Sequence, residues 1–256
     1  MNNKADLEQN PESTWFGEEA VSPAQKTEKV LGVFHSVADN YNIMNDVMSG
    51  GIHRMWKNRL VELIKPRSGQ SFLDVAGGTG DIAFRIYKRT QDNPDITVCD
   101  INTSMLSVGR DNAIDKGYLE GIDWVTGNAE SLPLPSNSKD VYTIAFGLRN
   151  VTHIDRALKE AHRVLKPGGR FYCLEFSHMS DPAMQKLYDS YSYNVIPKMG
   201  QIVAKDAASY QYLVESIRKF PKQADLVQRI KAAGFDQAGY KNLSCGVAAI
   251  HWGWKL

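Results

Sequence analysis

The sequence predicts an α/β fold in which one mostly parallel sheet of seven strands is closed by an antiparallel hairpin. Three observations carry that expectation. From Ser71 onward, short β-branched or aromatic runs alternate with stretches of helical spacing. The run Gly77 Gly78 Thr79 Gly80 follows the first of these strands directly and opens a helix. The last two strand candidates are separated only by a tight turn around Ser244 to Gly246, too short for a parallel crossover.

Taken in order, residues Met1 to roughly Glu28 are polar and aperiodic and read as a mobile leader, with 29–256 as a single domain. Within it, about 34–66 reads as an N-terminal lid. The parallel strands fall at Phe72 to Val75, Ile96 to Asp100, Ile122 to Val125, Val141 to Phe146 and Phe171 to Phe176. Asp155 to Leu165 reads as a helix with Ala157, Leu158, Ala161, Val164 and Leu165 on its apolar face, Asp155 as N-cap, and Pro167, Gly168 and Gly169 as the stop. Ser177 to Phe220 is dense in tyrosine and too long for a plain loop, so it reads as a helical insertion. A helix near Ala224 to Ala233 ends at Gly234, and Gln237 to Asn242 with Val247 to Trp252 form the closing hairpin.

Composition excludes several classes. Thirty basic against twenty-nine acidic side chains give a formal charge of +1, so no global field draws the chain to nucleic acid. Cys99, Cys173 and Cys245 are far apart and lack metal-ligand spacing, which points to a reducing cytoplasm and to neither a disulfide framework nor a metal centre. No run reaches the roughly 20 apolar residues of a membrane span, and the N-terminus lacks the pattern of a secretory signal.

The sharpest motif is Leu73 Asp74 Val75 Ala76 Gly77 Gly78 Thr79 Gly80 Asp81. Glycines there let the backbone bend tightly and approach a ligand. Asp100 ends the second strand, twenty residues after Gly80, where a carboxylate can take both ribose hydroxyls of an adenosine. Alone the motif does not choose between a dinucleotide and S-adenosylmethionine, because Gly78, Gly80 and Ala83 also satisfy the dinucleotide pattern. Three further features favour the methyl donor: Gly127 Asn128 Ala129 Glu130 Ser131 Leu132 Pro133 Leu134 after the third strand, Val164 Leu165 Lys166 Pro167 Gly168 Gly169 before the fifth, and the antiparallel hairpin all resemble methyltransferase segments. On that reading Asp100 takes the ribose, Asn128 and Ala129 the adenine, and Gly77, Gly78, Thr79 and Gly80 the methionine tail. For Asn128, the competing role is a turn residue that bonds its own backbone.

Outside this core, Tyr41 Asn42 Ile43 Met44 Asn45 Asp46 Val47 Met48 Ser49 Gly50 Gly51 Ile52 His53 Arg54 Met55 Trp56 Lys57 closely resembles the ubiquinone/menaquinone biosynthesis C-methyltransferases of the UbiE type. Phe146 Gly147 Leu148 Arg149 Asn150 Val151 Thr152 resembles the same family, as do Tyr188 Asp189, Ile196 Pro197, Ser209 Tyr210 and Phe220 Pro221 in the insertion and Ala249 Ile250 His251 near the end. The resemblance implies a Rossmann-like class I methyltransferase that uses S-adenosylmethionine to methylate a ring carbon of a polyprenylated benzoquinol or naphthoquinol. At Ala145, relatives can carry a serine instead.

What the resemblance implies chemically is that ionising a phenol pushes electron density onto the adjacent ring carbon. Arg149 and Asn150, at the fourth strand end, and Tyr41, in the N-terminal block, are the residues expected at the reacting centre. Arginine, with a pKa above about 12, is a poor proton acceptor, so Arg149 is expected to stabilise the phenolate or to position a water. His53 is as readily a structural hydrogen bonder as a base, and Tyr188, Tyr191, Tyr210 and Tyr212 are pocket candidates or core. A lipid-tailed quinol implies peripheral contact with the inner face of the membrane, through Val47 to Leu63 with Lys57 and Arg59 as cations, unless that stretch packs on the sheet. Association with other quinone-pathway enzymes and a homodimer are compatible with this reading, and no metal is required. An oxidoreductase and a scaffold with a vestigial donor site remain the alternatives.

Overall fold

The computed structural model describes residues 14–36, 46, 49–90, 94–181, 183–186, 188, 193, 201 and 207–256, with only the backbone of 34–36 and 207–208. The chain divides into two compact units, Met1–Gly51 with Ser180–Phe220, and Ile52–Met179 with Pro221–Leu256.

The smaller unit combines residues that the sequence places in the leader, the lid and the insertion, and from Thr14 onward it has regular structure where a mobile leader is expected. Its elements are β1 (Thr14–Phe16), β2 (Glu19–Val21), α1 (Pro23–Ser36) and, from the insertion, a helix at Ala207–Lys219. β1 and β2 pair antiparallel across a two-residue turn whose first residue, Gly17, is left-handed at φ +58°. A hairpin this short is not stable alone. It is held by the insertion helix: Phe16 stacks on Tyr212 at 4.2 Å, Lys219 Nζ lies 4.0 Å from the Trp15 ring centroid, and Glu18 N donates to Glu215 Oε2 at 3.0 Å. These partners are about two hundred residues apart, which local pattern cannot reveal. Tyr210 and Tyr212 are buried in this unit, as core side chains. Tyr191 lies outside the described residues, and Arg218 stands 5.4 Å above the Tyr188 ring.

The larger unit begins with α2 (His53–Ile64), followed by β3 (Ser71–Val75), α3 (Asp81–Thr90), β4 (Asp95–Asp100), α4 (Thr103–Asp115), β5 (Ile122–Thr126) and β6 (Lys139–Ala145). It continues through α5 (Ile154–Val164), β7 (Leu165–Phe176), α7 (Gln223–Ala232, with Ala207–Lys219 as α6), β8 (Asp236–Leu243) and β9 (Ala248–Trp254). The sheet runs β5-β4-β3-β6-β7-β9-β8, parallel from β5 through β7 and antiparallel at β9 and β8. All seven expected strands are present. β3 lies inside the sheet between β4 and β6 and every residue of it is buried, whereas edge strand β8 has no buried residue.

α2 corrects the lid reading for residues 53–64. Trp56, Leu60, Val61 and Ile64 are buried, Trp56 stands edge-on to Phe176 at 5.9 Å, and its Nε1 donates to Ser244 Oγ at 2.9 Å. The helix is thus a packed layer of the sheet. Lys57 cannot serve as a lipid-facing cation, because it is buried with Nζ 2.8 Å from Asp81 Oδ2. Arg170 Nη1 caps the last turn through Ile64 O at 2.9 Å.

α5 buries the expected Ala157, Leu158, Ala161 and Val164, but its N-cap is His153 rather than Asp155. Asp155 sits in the first turn and pairs with Arg229 at 3.2 Å. The free N–H groups of Thr152 and His153 instead reach Glu130 Oε1 at 3.1 and 3.0 Å, a cap supplied from another loop. The helix also stops earlier than its Pro-Gly-Gly sequence marks. Pro167 disfavours helix at Lys166, so Leu165 is already extended and pairs with Lys139, and the Pro-Gly-Gly run becomes an irregularity before Val141 pairs with Arg170.

Candidate active site

Parallel pairing places the C-terminal ends of β3, β4, β5 and β6 at one edge: Val75 is level with Cys99 and Ile144, and Cys99 with Val125. The chain crosses from one side of β3 to the other between β5 and β6, which opens a crevice at these ends. Every expected site residue except Tyr41, which lies outside the described residues, is at one of these four strand ends or on the segment that follows it.

The loop after β3 turns sharply. Ala76 and Gly78 are left-handed at φ +50° and Gly80 at +82°, Gly80 N bonds Gly77 O at 2.9 Å, and Phe84 N bonds Gly80 O at 2.8 Å to start α3. A β-carbon on Gly77 would stand 2.7 Å from Val98 Cγ1 and 2.9 Å from Asp74 Oδ2, so only glycine fits. Thr79 is half-buried at the apex.

Three carboxylates surround this turn. Asp100 Oδ2 accepts from Gly78 N at 2.9 Å and its Oδ1 from Asn102 N at 2.8 Å, so the turn and the end of β4 are tied together. Burial raises the Asp100 carboxyl, and the backbone donors partly oppose that. Asp74, wholly buried beneath Gly77, takes Thr143 Oγ1 on Oδ1 at 2.8 Å, while its Oδ2 has no partner among the described residues. Burial pushes the Asp74 carboxyl up to about 7 despite the threonine bond, with Asp81 and Asp100 adding to the rise. At Asp81 burial also raises the carboxyl, but Lys57 and Arg85 outweigh it and hold the group below its ordinary range.

After β5, Asn128 Oδ1 accepts Glu130 N at 2.9 Å and Asn128 O accepts Ser131 N at 3.0 Å. The side chain therefore makes the local turn of the competing reading, and its amide nitrogen is left for an adenine. Ala129 is buried. The following strip is clamped by a pair that sequence reading missed: Arg163 Nη2 and Nη1 donate to Leu132 O at 3.1 Å and Leu134 O at 2.8 Å, and Glu160 Oε2 accepts Leu132 N at 2.8 Å. Their signal in the sequence, an acid and an arginine three apart on the polar side of α5, is indistinguishable from a solvated ion pair.

After β6, Phe146 is buried at φ +57°, a left-handed conformation that costs a bulky residue about 1–3 kcal/mol and is found where function requires it. A single 3₁₀ turn, Leu148–Asn150, then aims Arg149 back into the protein. Its Nη1 donates to Glu175 Oε1 at 2.8 Å and to Phe146 O, and the side chains of Arg149 and Glu175 are 1% and 0% exposed. Glu175, on β7, also accepts the main-chain N–H groups of Arg149 at 3.3 Å and Phe176 at 2.9 Å. Sequence reading left it as an anonymous strand residue.

An adenosyl group suits this edge. Each Asp100 oxygen accepts one main-chain N–H and so keeps lone-pair capacity for a ribose hydroxyl. The turn above has no side chains at Gly77, Gly78 or Gly80, and Asp74 Oδ2 is a buried polar atom without a partner among the described residues. Among the described residues, no group of three His, Cys, Asp or Glu could hold a metal ion, and no helix is long and apolar enough to cross a membrane.

Comparison with known proteins agrees. A crystal structure of a SAM-dependent methyltransferase from Aquifex aeolicus matches with TM-score 0.57 at 14% identity, over 78% of this chain and 89% of that one. Phosphoethanolamine N-methyltransferase 2 of Haemonchus contortus, solved in complex with S-adenosyl-L-methionine, matches with TM-score 0.58 at 14% identity, over 78% of this chain and 52% of that one. At these identities the likeness concerns the fold, which is that of class I methyltransferases. In sequence, ubiquinone/menaquinone biosynthesis C-methyltransferase UbiE of Brucella abortus is 55% identical over 94% of this chain and 90% of its own. The mitochondrial 2-methoxy-6-polyprenyl-1,4-benzoquinol methylase of Xenopus laevis is 50% identical over 97% and 91%. With residues 23–255 also matching the family as a whole, the chain belongs to the ubiE/COQ5 methyltransferase family.

Proposed function

We propose that this chain transfers the methyl group of S-adenosylmethionine to a ring carbon of a polyprenylated quinol, 2-methoxy-6-polyprenyl-1,4-benzoquinol, demethylmenaquinol or both. The observation that carries the reading is the presence, at one sheet edge, of the Asp100-anchored glycine turn and the buried cation Arg149. S-adenosylmethionine supplies an electrophilic methyl on sulfur. Asp100 would hold its ribose, Ala129 and the Asn128 amide nitrogen its adenine, and Gly77 to Gly80 its methionine tail.

The acceptor ring becomes nucleophilic when a phenol ionises, and the protein's task is to favour that anion where the methyl stands. Arg149 is a buried cation at this edge, and its burial makes its attraction for a phenolate oxygen stronger than in water. It stays protonated throughout, so it stabilises the oxyanion and does not take the proton. Asn150, the next residue of the same turn, is half-buried and supplies an uncharged polar group beside it.

The test is a transfer assay with methyl-labelled donor and reduced demethyl benzoquinol or demethylmenaquinol carrying short prenyl tails. Label on a ring carbon is expected, and the preferred ring names the natural acceptor. Donor binding without transfer to either ring would overturn the quinol assignment.

A prenyl tail partitions into lipid, so the enzyme meets its acceptor at the inner membrane face. Met55, 68% exposed, and Ile52, 41% exposed, stand beside exposed Arg54 and Arg59 and form an apolar anchor flanked by cations. At about 1 kcal/mol per cation, Arg54→Glu with Arg59→Glu should cut co-sedimentation with anionic vesicles by roughly tenfold or more. Unchanged sedimentation would remove this surface from consideration.

A further inference from the structure

The Arg149–Glu175 pair has an asymmetry that packing alone does not explain. Both acceptors offered to the guanidinium, Glu175 Oε1 and Phe146 O, engage the same nitrogen, Nη1. Nε is buried and has no partner among the described residues, and no bond from Nη2 is found there either. Nε and Nη2 make the side-on fork of a guanidinium, the two parallel N–H groups that grip an oxyanion. A buried donor left without a partner is costly and infrequent in native proteins, and its persistence calls for an explanation. Meanwhile Glu175 is itself immobilised: two main-chain N–H groups bind its carboxylate, and it stands on β7 opposite Ala249 of β9, one residue past the last β6 pair, Ala145 with Leu174.

We propose that Glu175 is a positioning residue for methyl transfer: by gripping Arg149 at Nη1 it presents the free Nε–Nη2 fork to the ionised ring oxygen of the acceptor. The inference rests on the phenolate-stabilising role of Arg149 given above. Burial raises the Glu175 carboxyl and Arg149 opposes that rise; ionised together at 2.8 Å, the two place a cation at the reacting oxygen without leaving an uncompensated buried charge. Phe176, its ring centroid 5.7 Å from the guanidinium carbon, closes one side of the plane and limits rotation about the Nη1 anchor.

The discriminating experiment separates turnover from donor affinity and from folding. Glu175→Leu removes the anchor. It should lower kcat at least 100-fold with the S-adenosylmethionine Kd within threefold of the parent and the circular dichroism spectrum retained. Glu175→Gln keeps an acceptor oxygen for Nη1 and should recover at least tenfold of that loss. In an Arg149→Met background, which lacks the fork, adding Glu175→Leu should change kcat by less than threefold, and this apolar pair is expected to fold even if Glu175→Leu alone does not. A Glu175→Leu protein that is folded and turns over within threefold of the parent overturns the proposal, as does a Glu175→Gln protein no faster than Glu175→Leu or a kcat loss that only tracks the folded fraction. An Arg149→Met enzyme with parental kcat would instead sink the role given to Arg149 itself.

Discussion

Asp100→Ala is expected to weaken S-adenosylmethionine binding by at least about 100-fold, since two hydrogen bonds to a charged carboxylate are lost at roughly 1.5–3 kcal/mol each. The carboxylate has two tasks at once. Its oxygens fix Gly78 N and Asn102 N, and so shape the turn, while their remaining lone pairs would take the ribose hydroxyls. Asp100→Asn separates these tasks poorly, because its amide nitrogen must oppose one of the two main-chain donors, and it should bind nearly as badly. Titration calorimetry with donor or with S-adenosylhomocysteine measures both variants, and a Kd within threefold of the parent would remove Asp100 from the ribose site. The pH dependence follows from the direction of its shift. Burial raises the Asp100 carboxyl above 3.8, so its contribution to fold stability is greatest at acid pH and is lost as pH rises through the raised value. Donor binding runs the other way, requiring the anion and falling as pH drops through that value, and Asp100→Asn should abolish the dependence.

The fold was legible because its signals are local. Strand β3, the glycine turn and Asp100 occupy one short span, and a turn of Gly77 to Gly80 between a buried strand and a helix has few alternative structures. The closing hairpin was legible for the same reason, through its tight turn at Ser244–Gly246. What escaped was non-local. The β1–β2 hairpin looks like a polar leader until Tyr212 and Glu215 are set against it. Lys57 reads as one more cation on an amphipathic helix until Asp81 is found 2.8 Å away. Glu175 and Arg163 matter through partners 26 and 29 to 31 residues distant, across strand register and helix packing that one chain's spacing does not encode. For Asn128, the sequence held both readings, and the turn it builds is visible only in the bonds it makes.

Gly109→Ala should be among the most damaging single-methyl additions in the larger unit, although alanine is the better helix former by about 1 kcal/mol. Gly109 lies on α4 against the Trp124 ring of β5: its added β-carbon would overlap the ring outright, with Cη2 at 2.7 Å and Gly78 O at 3.1 Å. The same ring faces Gly80 from the other side, where a β-carbon would meet Cη2 at 2.7 Å and Phe84 Cζ at 3.0 Å. Trp124 thus lies against both the glycine turn and α4, and a side chain at either glycine would meet its ring. Overpacking of this kind costs about 1–3 kcal/mol, so Gly109→Ala should lower Tm by roughly 3–10 °C in scanning calorimetry. Gly80→Ala should be worse, because its left-handed φ of +82° penalises any β-carbon whatever the space, and the displaced turn would take donor binding with it. Trp124→Leu tells the two causes apart. Removing the ring should restore most of the Tm lost in Gly109→Ala, where the conflict is steric, and little of that lost in Gly80→Ala, where backbone strain remains. Equal rescue of both would mean that the turn tolerates a side chain at Gly80, and that its glycine answers to the indole rather than to the left-handed conformation of the turn.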